Sequence, residues 1–266
     1  MNSTNIWILI LSVLVIHFNI TIIKTFKLFK KNITPLSSGS SQICKGETNS
    51  NNNNNNKIPK RVIVYLGSGG HTGEMIRLLK NYPVLFKSKE MIVTYSDGQS
   101  YKNFKKTFCS TAAKDCTLSN IKYIRLYKAR EVGANVFSSF KSIILTNLII
   151  LFKLTPLAIK LVLLSICSLF SKEKNPSDKT IILLNGPGTC CLLSVFFKMI
   201  QFIINFVIVA KSGNIKIIYV ESLARVKKLS LTGKILYYFG LADEFIVQWP
   251  ELHRRLDRSK YYGIIV

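Results

Sequence analysis

A glycine-rich turn between an apolar run and an amphipathic segment is the part of this chain best suited to chemistry. The apolar run at residues 62–66 ends at Gly67, and residues 67–74 read GSGGHTGE. Apolar residues with helical spacing follow from Met75 onward. Such a turn leaves backbone N–H groups unpaired at a helix N-terminus, where they and the helix dipole favour an anion, most often a phosphate. The residues predicted to bind this anion are Gly67, Ser68, Gly69, Gly70, His71, Thr72 and Gly73.

The spacing of the glycines argues against the common nucleotide fingerprints. Gly73 comes one residue later than the third glycine of G-x-G-x-x-G, and Glu74 stands where the Walker pattern needs lysine. His71 and Glu74 are three residues apart and could share a helix face, so either could act as a base. A metal pair is the less favoured alternative, and we expect no metal and no cofactor. A tight turn without a ligand also remains possible.

Polar segments follow several other apolar runs, and each has a structural alternative. The segment at residues 185–189 could approach a ligand or form a plain β-α turn. Glu221 and Ser222 could contribute to a site or cap the next helix. Arg130 and Glu131 could contribute to a site or form a surface ion pair. The candidate site residues in these segments are Arg130, Glu131, Asn185, Gly186, Gly188, Thr189, Glu221, Ser222 and Arg225.

Short apolar runs that alternate with helical patterns must position these residues. The alternation predicts an α/β fold, a Rossmann-like doubly wound parallel sheet, with ligands bound at the carboxyl ends of its strands. The polar segments above lie at those ends. The predicted strands are residues 62–66, 91–95, 121–127, 180–184, 215–220 and 244–247.

Composition favours a membrane partner. The chain has 266 residues, a net charge of +24 and 48% hydrophobic residues. Such a charge suits nucleic acid, an anionic membrane surface or a phosphorylated substrate. No nucleic-acid-binding motif is present and mean hydropathy is positive, so we expect no nucleic acid partner. The six cysteines form no C-x-x-C pair, which is typical of free thiols in a reducing compartment.

Two apolar segments predict contact with a membrane. Residues 6–23 are long enough to cross a bilayer, and the lysines that follow predict a cytosolic location for the rest of the chain. A cleaved signal peptide is the alternative. Residues 143–170 contain lysines and Pro156, so we predict a helix lying on the membrane, whereas residues 190–210 suit a buried crossover helix. The predicted regions are an anchor with a basic flank (1–31), an Asn/Ser-rich linker (32–59) and a folded domain (60–266).

Five blocks, in order, resemble one protein family. They are residues 67–75, 130–132, 185–190 and 219–234, and Gln248-Trp249-Pro250 with Tyr262-Gly263. Together they resemble the membrane-anchor subunits of the UDP-N-acetylglucosamine transferase that adds the second sugar to the dolichol-linked oligosaccharide of N-glycosylation. The family often has serine at the position of Gly73, where this chain departs from it.

The resemblance implies the N-terminal half of a GT-B glycosyltransferase at the cytosolic face of the endoplasmic reticulum. A separate soluble subunit, similar to the C-terminal half, would bind UDP-N-acetylglucosamine. The acceptor would be dolichyl-diphosphate-N-acetylglucosamine, and the transfer would be inverting and β-1,4. The base would be His71, Glu74 or Glu221, with His71 favoured because imidazole titrates near neutral pH. The chain contains only one such sheet, and the residues expected to dock the partner are Trp249, Tyr262, Ile264 and Val266.

Two other functions remain open from the sequence. One is a self-sufficient nucleotide-binding enzyme of the NAD type, in which Asp97 would hold a ribose after the second strand. The misplaced third glycine argues against it. The other is a pure scaffold that docks its partner at the membrane and contributes nothing to the site.

Overall fold

The structure is a computed structural model that describes residues 58–109, 121–127, 136–170, 179–186, 188–207 and 215–266. Its strands are β1 (Arg61–Leu66), β2 (Glu90–Tyr95), β3 (Ile121–Arg125), β4 (Thr180–Leu184), β5 (Ile215–Val220), β6 (Glu244–Val247) and β7 (Ser259–Tyr261). Its α-helices are α1 (Gly70–Asn81), α2 (Gly98–Cys109), α3 (Val136–Phe170), α4 (Thr189–Val207), α5 (Leu231–Tyr238) and α6 (Pro250–His253), and a 3-10 helix spans Pro83–Lys87.

The strands form one parallel sheet in the order β3-β2-β1-β4-β5-β6-β7. This arrangement confirms the predicted α/β fold and its six strands, although β3 ends at Arg125 rather than at residue 127. Strand β7 was not predicted from the sequence. That strand has three residues at the sheet edge and two of them are exposed, so it carries no apolar pattern that would reveal it.

The order of the strands reverses between β1 and β4. The chain proceeds from β1 towards β3 on one side and from β4 towards β7 on the other. The connections that leave β1 and β4 therefore run in opposite directions, and a crevice forms between them, which is where open α/β sheets bind ligands. The register pairs Val64 with Leu183, so the turn after β1 and the segment after β4 lie side by side.

Helices cover both faces of the sheet, which explains the uninterrupted apolar strands. On one face Ile63 and Tyr65 pack in a core with α3, α4 and α5. On the other face Val62 and Val64 pack with α1 and with Phe104 of α2. All six residues of β1 are buried, as expected for a central strand covered from two sides.

The long helix α3 has one buried face and one exposed apolar face. The buried stripe has helical spacing and consists of Thr146, Ile150, Leu154, Leu157 and Leu161. On the other side Phe152 is 80% exposed, and Leu148, Ile159 and Leu163 are also exposed. Two stretches of the described chain, Ser142–Cys167 and Thr189–Phe206, are long and apolar enough to cross a membrane by length and composition alone. The prediction that residues 143–170 lie on a membrane stays a prediction.

Helix α4 packs on the sheet as a crossover helix should. Phe197, Ile200 and Ile204 are buried in the core that it shares with α3. Met199 on its other side is 57% exposed. The predicted anchor at residues 1–31, almost all of the linker, and Arg130 and Glu131 lie outside the described residues.

Candidate functional site

The turn after β1 presents the start of α1 to the crevice. Gly69 has a φ of 61°, a left-handed conformation that strongly favours glycine, and α1 begins at Gly70. Gly69, Gly70 and Gly73 are exposed, and Ser68 is half-buried. The first turn of α1 contains no acidic residue, and no side chain caps it among the described residues. The positive end of the helix dipole therefore faces the opening with little local compensation.

Hydroxyl groups fix the inner side of this turn. The Thr72 hydroxyl donates to the Gly67 carbonyl and lies 2.6 Å from Ser100 Oγ. Thr72 is buried, so its side chain shapes the turn from within. Asp97 in turn accepts hydrogen bonds from the Ser100 backbone N–H at 2.8 Å and from its hydroxyl at 2.7 Å. Asp97 therefore caps the start of α2, a role different from the ribose contact that an NAD enzyme would need.

A chain of hydrogen bonds connects three strand ends across the crevice. His71 Nδ1 lies 3.0 Å from Asn185 Oδ1. Asn185 Nδ2 donates to Glu74 Oε2 at 2.9 Å. Glu74 Oε1 accepts from Ser222 Oγ at 2.8 Å and from the Leu223 backbone N–H at 3.2 Å. The structure thus brings together residues of α1, of the segment after β4 and of the segment after β5, as their places at strand ends predicted.

This chain of bonds determines which nitrogen of His71 carries a proton. An amide oxygen only accepts, so the Asn185 contact requires a proton on His71 Nδ1. In the neutral imidazole Nε2 is then left as an acceptor, the form that a general base needs. The His71 side chain is 32% exposed, so it is accessible from the crevice. Glu74 Oε2 lies 4.0 Å from His71 Nδ1, close enough to stabilise an imidazolium.

Gly186 allows His71 to occupy this position. Its φ is 122°, and a Cβ built there would lie 3.0 Å from His71 Cγ and 3.1 Å from His71 Cβ. A side chain at this position would therefore meet the imidazole directly. Gly188 has no atom within 4 Å of such a Cβ and is exposed, and Thr189 is buried at the start of α4.

Glu221 has a different environment from His71 and Glu74. Its carboxylate is buried and accepts from the Ser222 backbone N–H at 3.1 Å and from the Ser230 hydroxyl at 3.1 Å. Ser230 caps α5, because its hydroxyl also accepts from the Gly233 N–H at 2.9 Å. Burial raises the pKa of Glu221 above its ordinary value. This carboxylate therefore stabilises the segment between β5 and α5. Arg225, which lies in the same segment, is exposed.

The residues predicted to dock a partner divide into two pairs. Tyr262 and Ile264 are exposed by 59% and 57%, as a docking surface requires. Trp249 is half-buried and its indole N–H donates to the Leu223 carbonyl at 2.7 Å. Val266 packs against the core beside α1. Docking through these residues stays a prediction.

Two residues that shape the site, Ser100 and Gly233, were not predicted from the sequence. Ser100 bonds to the Gly67 turn, and its place three residues after Asp97 is a helix-capping pattern that could have revealed it. Gly233 approaches Glu221 so closely that a Cβ there would lie 1.9 Å from Oε2, and the sequence carries no signal for this contact.

The described residues show neither a metal site nor a reactive thiol pair. They contain no group of three or more His, Cys, Asp or Glu side chains that could hold a metal ion. Burial raises the pKa of Cys190 well above its usual value, and burial raises that of Cys191 to about 11. Both thiols are therefore protonated at neutral pH, which does not favour metal binding or nucleophilic attack.

Comparison with known proteins gives one consistent result. The family model described as "Oligosaccharide biosynthesis protein Alg14 like" matches residues 62–265. A protein of Saccharomyces cerevisiae is 42% identical over 212 residues, which cover 79% of this chain and 78% of that protein. One of Kluyveromyces lactis is 40% identical over 77% of this chain and 78% of its own length. One of Schizosaccharomyces pombe is 34% identical over 77% of this chain and 83% of its own length. All three are named UDP-N-acetylglucosamine transferase subunit ALG14.

Proposed function

The chain belongs to the Alg14-like family of oligosaccharide biosynthesis proteins, and we propose that it is a membrane-anchoring subunit of a UDP-N-acetylglucosamine transferase. It recruits a soluble subunit, similar to the C-terminal half of a GT-B enzyme, to the cytosolic face of the endoplasmic reticulum. That partner binds most of UDP-N-acetylglucosamine. This chain binds dolichyl-diphosphate-N-acetylglucosamine, and the complex adds a second N-acetylglucosamine in β-1,4 linkage. The observation that carries the proposal is the crevice between β1 and β4, where the exposed start of α1 adjoins His71.

The acceptor's diphosphate suits the exposed N-terminus of α1. Gly69 and Gly70 lie at a helix start, where the first backbone N–H groups have no intrahelical acceptor and the helix dipole favours negative charge. Glycines there let a phosphate approach the backbone closely, because no side chain intervenes. The Thr72 hydroxyl supports the turn from inside, so we assign the diphosphate to the backbone and to Ser68 rather than to that hydroxyl.

His71 is the base in this proposal. The acceptor's 4-hydroxyl oxygen forms the new bond to the anomeric carbon, the bond from that carbon to UDP breaks, and the hydroxyl proton moves to His71 Nε2. Asn185 accepts the Nδ1–H, so Nε2 is the acceptor nitrogen of the neutral imidazole. Glu74 orients Asn185 and stabilises the imidazolium that forms. Glu221 has a positioning role, since its carboxylate is enclosed by Ser222 and Ser230.

The exposed apolar face of α3 suits a membrane-bound acceptor. A side chain as large as Phe152 that is 80% exposed is costly in water and is stabilised in a lipid interface. We therefore propose that this face lies on the membrane, in addition to an anchor at residues 1–31. The dolichyl chain then stays in the bilayer while its diphosphate reaches the crevice.

The test is transferase activity in membranes that contain this chain together with its soluble partner. His71→Gln should lower the rate by about 10²-fold or more, the usual contribution of a general base, while partner recruitment stays normal. His253→Gln is the matched control, because the His253 imidazole bonds to Ser259 and stacks on Tyr261 rather than contacting a residue of the crevice. Full activity of His71→Gln would exclude His71 as the base. Activity of this chain without the partner would overturn the two-subunit assignment.

A pure scaffold would give a different pattern. It would recruit the partner and tolerate His71→Gln, Gly70→Trp and Glu74→Gln alike. The hydrogen-bonded chain from His71 to Ser222 argues against it, since a docking platform needs no such arrangement at the ligand crevice. The NAD alternative is less favoured, because Asp97 caps α2 through bonds from Ser100 to both of its carboxylate oxygens.

A further inference from the structure

A second cavity lies at the amino-terminal ends of the strands, on the side of the sheet opposite to the crevice. It has a volume of about 570 Å³, within the range of small-ligand pockets. Its walls include the first residues of β1 and β2, the start of β3 and one side of α3. Its charged lining residues are Lys60, Arg61, Lys89, Glu90, Lys122 and Lys160.

Positive charge is in large excess in this cavity. Glu90 accepts from Arg61 Nε at 2.8 Å, from Lys122 Nζ at 3.0 Å and from Lys160 Nζ at 2.8 Å. Burial opposes the ionised form of Glu90, but the hydrogen bonds from Lys160, Lys122 and Arg61 outweigh it and lower its pKa to about 2. Glu90 therefore contacts three of the five cations that line the cavity, and the formal charges of the six charged lining residues sum to +4. A single carboxylate cannot neutralise this group, so the cavity favours a further anion.

A small cleft of about 20 Å³ adjoins the charged cavity beside α3. It shares Lys60, Arg61 and Leu164 with the cavity, and Leu161, Ser165 and Ile215 also line it. Thr180 forms part of its wall, and the buried Thr180 hydroxyl has no hydrogen-bond partner among the described residues. Ile159 and Leu163 are exposed by 54% and 55% on the neighbouring surface of α3. The ligand that matches this combination has an anionic end and an apolar end.

We propose that this cavity binds the headgroup of an anionic phospholipid, whose acyl chain lies along Ile159 and Leu163 of α3. Inorganic phosphate would fill the charged cavity but leave the exposed apolar surface of α3 uncovered. A phospholipid satisfies both, and basic pockets beside membrane-facing helices are known to bind such headgroups. The site lies at the strand starts, whereas the acceptor site proposed above lies at the strand ends. The two therefore serve different ligands.

The experiment uses the full chain in phosphatidylcholine vesicles that contain phosphatidylinositol with a photoactivatable acyl chain. Crosslinks should map to residues 159–164 by mass spectrometry. The double variant Lys122→Gln, Lys160→Gln should lose crosslinking by about fivefold for each lysine, the loss expected for one cation beside an anionic leaflet. Glu90→Gln should increase crosslinking, because it removes the competing carboxylate. This opposite sign distinguishes ligand binding from a general loss of structure.

The matched control removes two lysines from the comparable cluster around Glu244. Lys216 and Lys260 both bond to that carboxylate, four strands from β2, so Lys216→Gln with Lys260→Gln should leave crosslinking unchanged. Equal labelling by photoactivatable phosphatidylcholine would overturn the preference for an anionic headgroup. Complete competition by added inorganic phosphate would overturn the assignment to a lipid. Transferase activity in the same vesicles is a separate measurement, so a failure of the proposed function is distinguishable from a failure of this site.

Discussion

His71 is held from two directions, and each contact has a separate chemical effect. Asn185 accepts its Nδ1 proton and so determines the tautomer. Gly186 lies against the side of the ring and determines how far the imidazole can move. The two residues are adjacent in the chain, so the end of one strand controls both the protonation and the position of the proposed base.

Gly186→Ala should therefore impair the site without unfolding the protein. The new methyl group would lie 3.0 Å from His71 Cγ, and a φ of 122° is strained for any residue with a side chain. We expect transferase activity to fall by about 10²-fold, the cost of a small displacement of a catalytic group. The measurement is the rate in membranes that contain the soluble partner, with protein amount determined by immunoblotting.

Gly188→Ala serves as the control for this substitution. It adds the same methyl group two residues later, where no atom lies within 4 Å and the backbone is not left-handed. Activity should stay near that of the unaltered chain. If Gly186→Ala were as active as Gly188→Ala, the imidazole would not need its present position, and the role of His71 would have to be revised.

The sequence predicted which residues meet in the crevice better than it predicted what each one does. His71, Asn185 and Ser222 follow different strands of a parallel sheet, and carboxyl ends of such strands share one edge. Glu221 also follows a strand, yet its carboxylate is directed to Ser230. That choice depends on the conformation of the irregular segment at residues 221–230, ten residues without a periodic pattern.

At the scale of elements, the start of α5 is joined to β5 by a single carboxylate. Glu221 accepts from the Ser230 N–H at 3.3 Å and from the Ser230 hydroxyl at 3.1 Å, and Ser230 caps the helix. Gly233 in the first turn leaves the space that Glu221 occupies. The helix start, its cap and the strand end therefore form one packed unit beside the crevice.

Gly233→Ala should destabilise the protein by about 1–3 kcal/mol, the typical cost of overpacking a filled site. A methyl group there would lie 1.9 Å from Glu221 Oε2. Thermal and denaturant unfolding of the full chain in detergent would measure the loss. Gly73→Ala, in the first turn of α1 with no atom within 4 Å, should be neutral or stabilising by up to about 1 kcal/mol.

A double substitution tests the cause of this destabilisation. Glu221→Ala removes the carboxylate that Gly233→Ala would meet, so the second change should cost less in that background than alone. Strictly additive free energies of unfolding would contradict a direct clash between the two residues.

The strands and helices differed in how well the sequence predicted them. Central strands such as β1 are buried on both faces and consist of apolar runs, so they could be identified from the sequence, and so could the partly exposed edge strand β3. The edge strand β7 could not, because two of its three residues are exposed. Helix α3 was recognised as unusually apolar, but only the fold shows that its Ile150 and Leu154 side belongs to the core. Apolar composition alone does not separate a core face from an outward face.

At the scale of the whole molecule, the positive charge and the exposed apolar surface both favour binding to a membrane. The chain carries a net charge of +24, and α3 exposes a row of large apolar side chains. Anionic leaflets attract the first feature and lipid interfaces accommodate the second. Attachment to the membrane therefore need not depend on residues 1–31 alone, whose four lysines account for four of the 24 net charges.

Deletion of residues 1–31 should consequently release only part of the protein from membranes. The remainder should stay bound at low salt, because the folded domain keeps most of the positive charge, and should dissociate as salt screens it. Adding Phe152→Asp should abolish the residual binding, since a charge would enter the apolar face of α3. Met199→Asp, on an exposed position of α4, should have a smaller effect if α3 forms the contact.

Sedimentation of membranes at increasing salt measures all three variants. Complete release of the deletion variant at low salt would show that residues 1–31 provide the entire attachment, and equal effects of the two aspartates would exclude α3 as the contacting face.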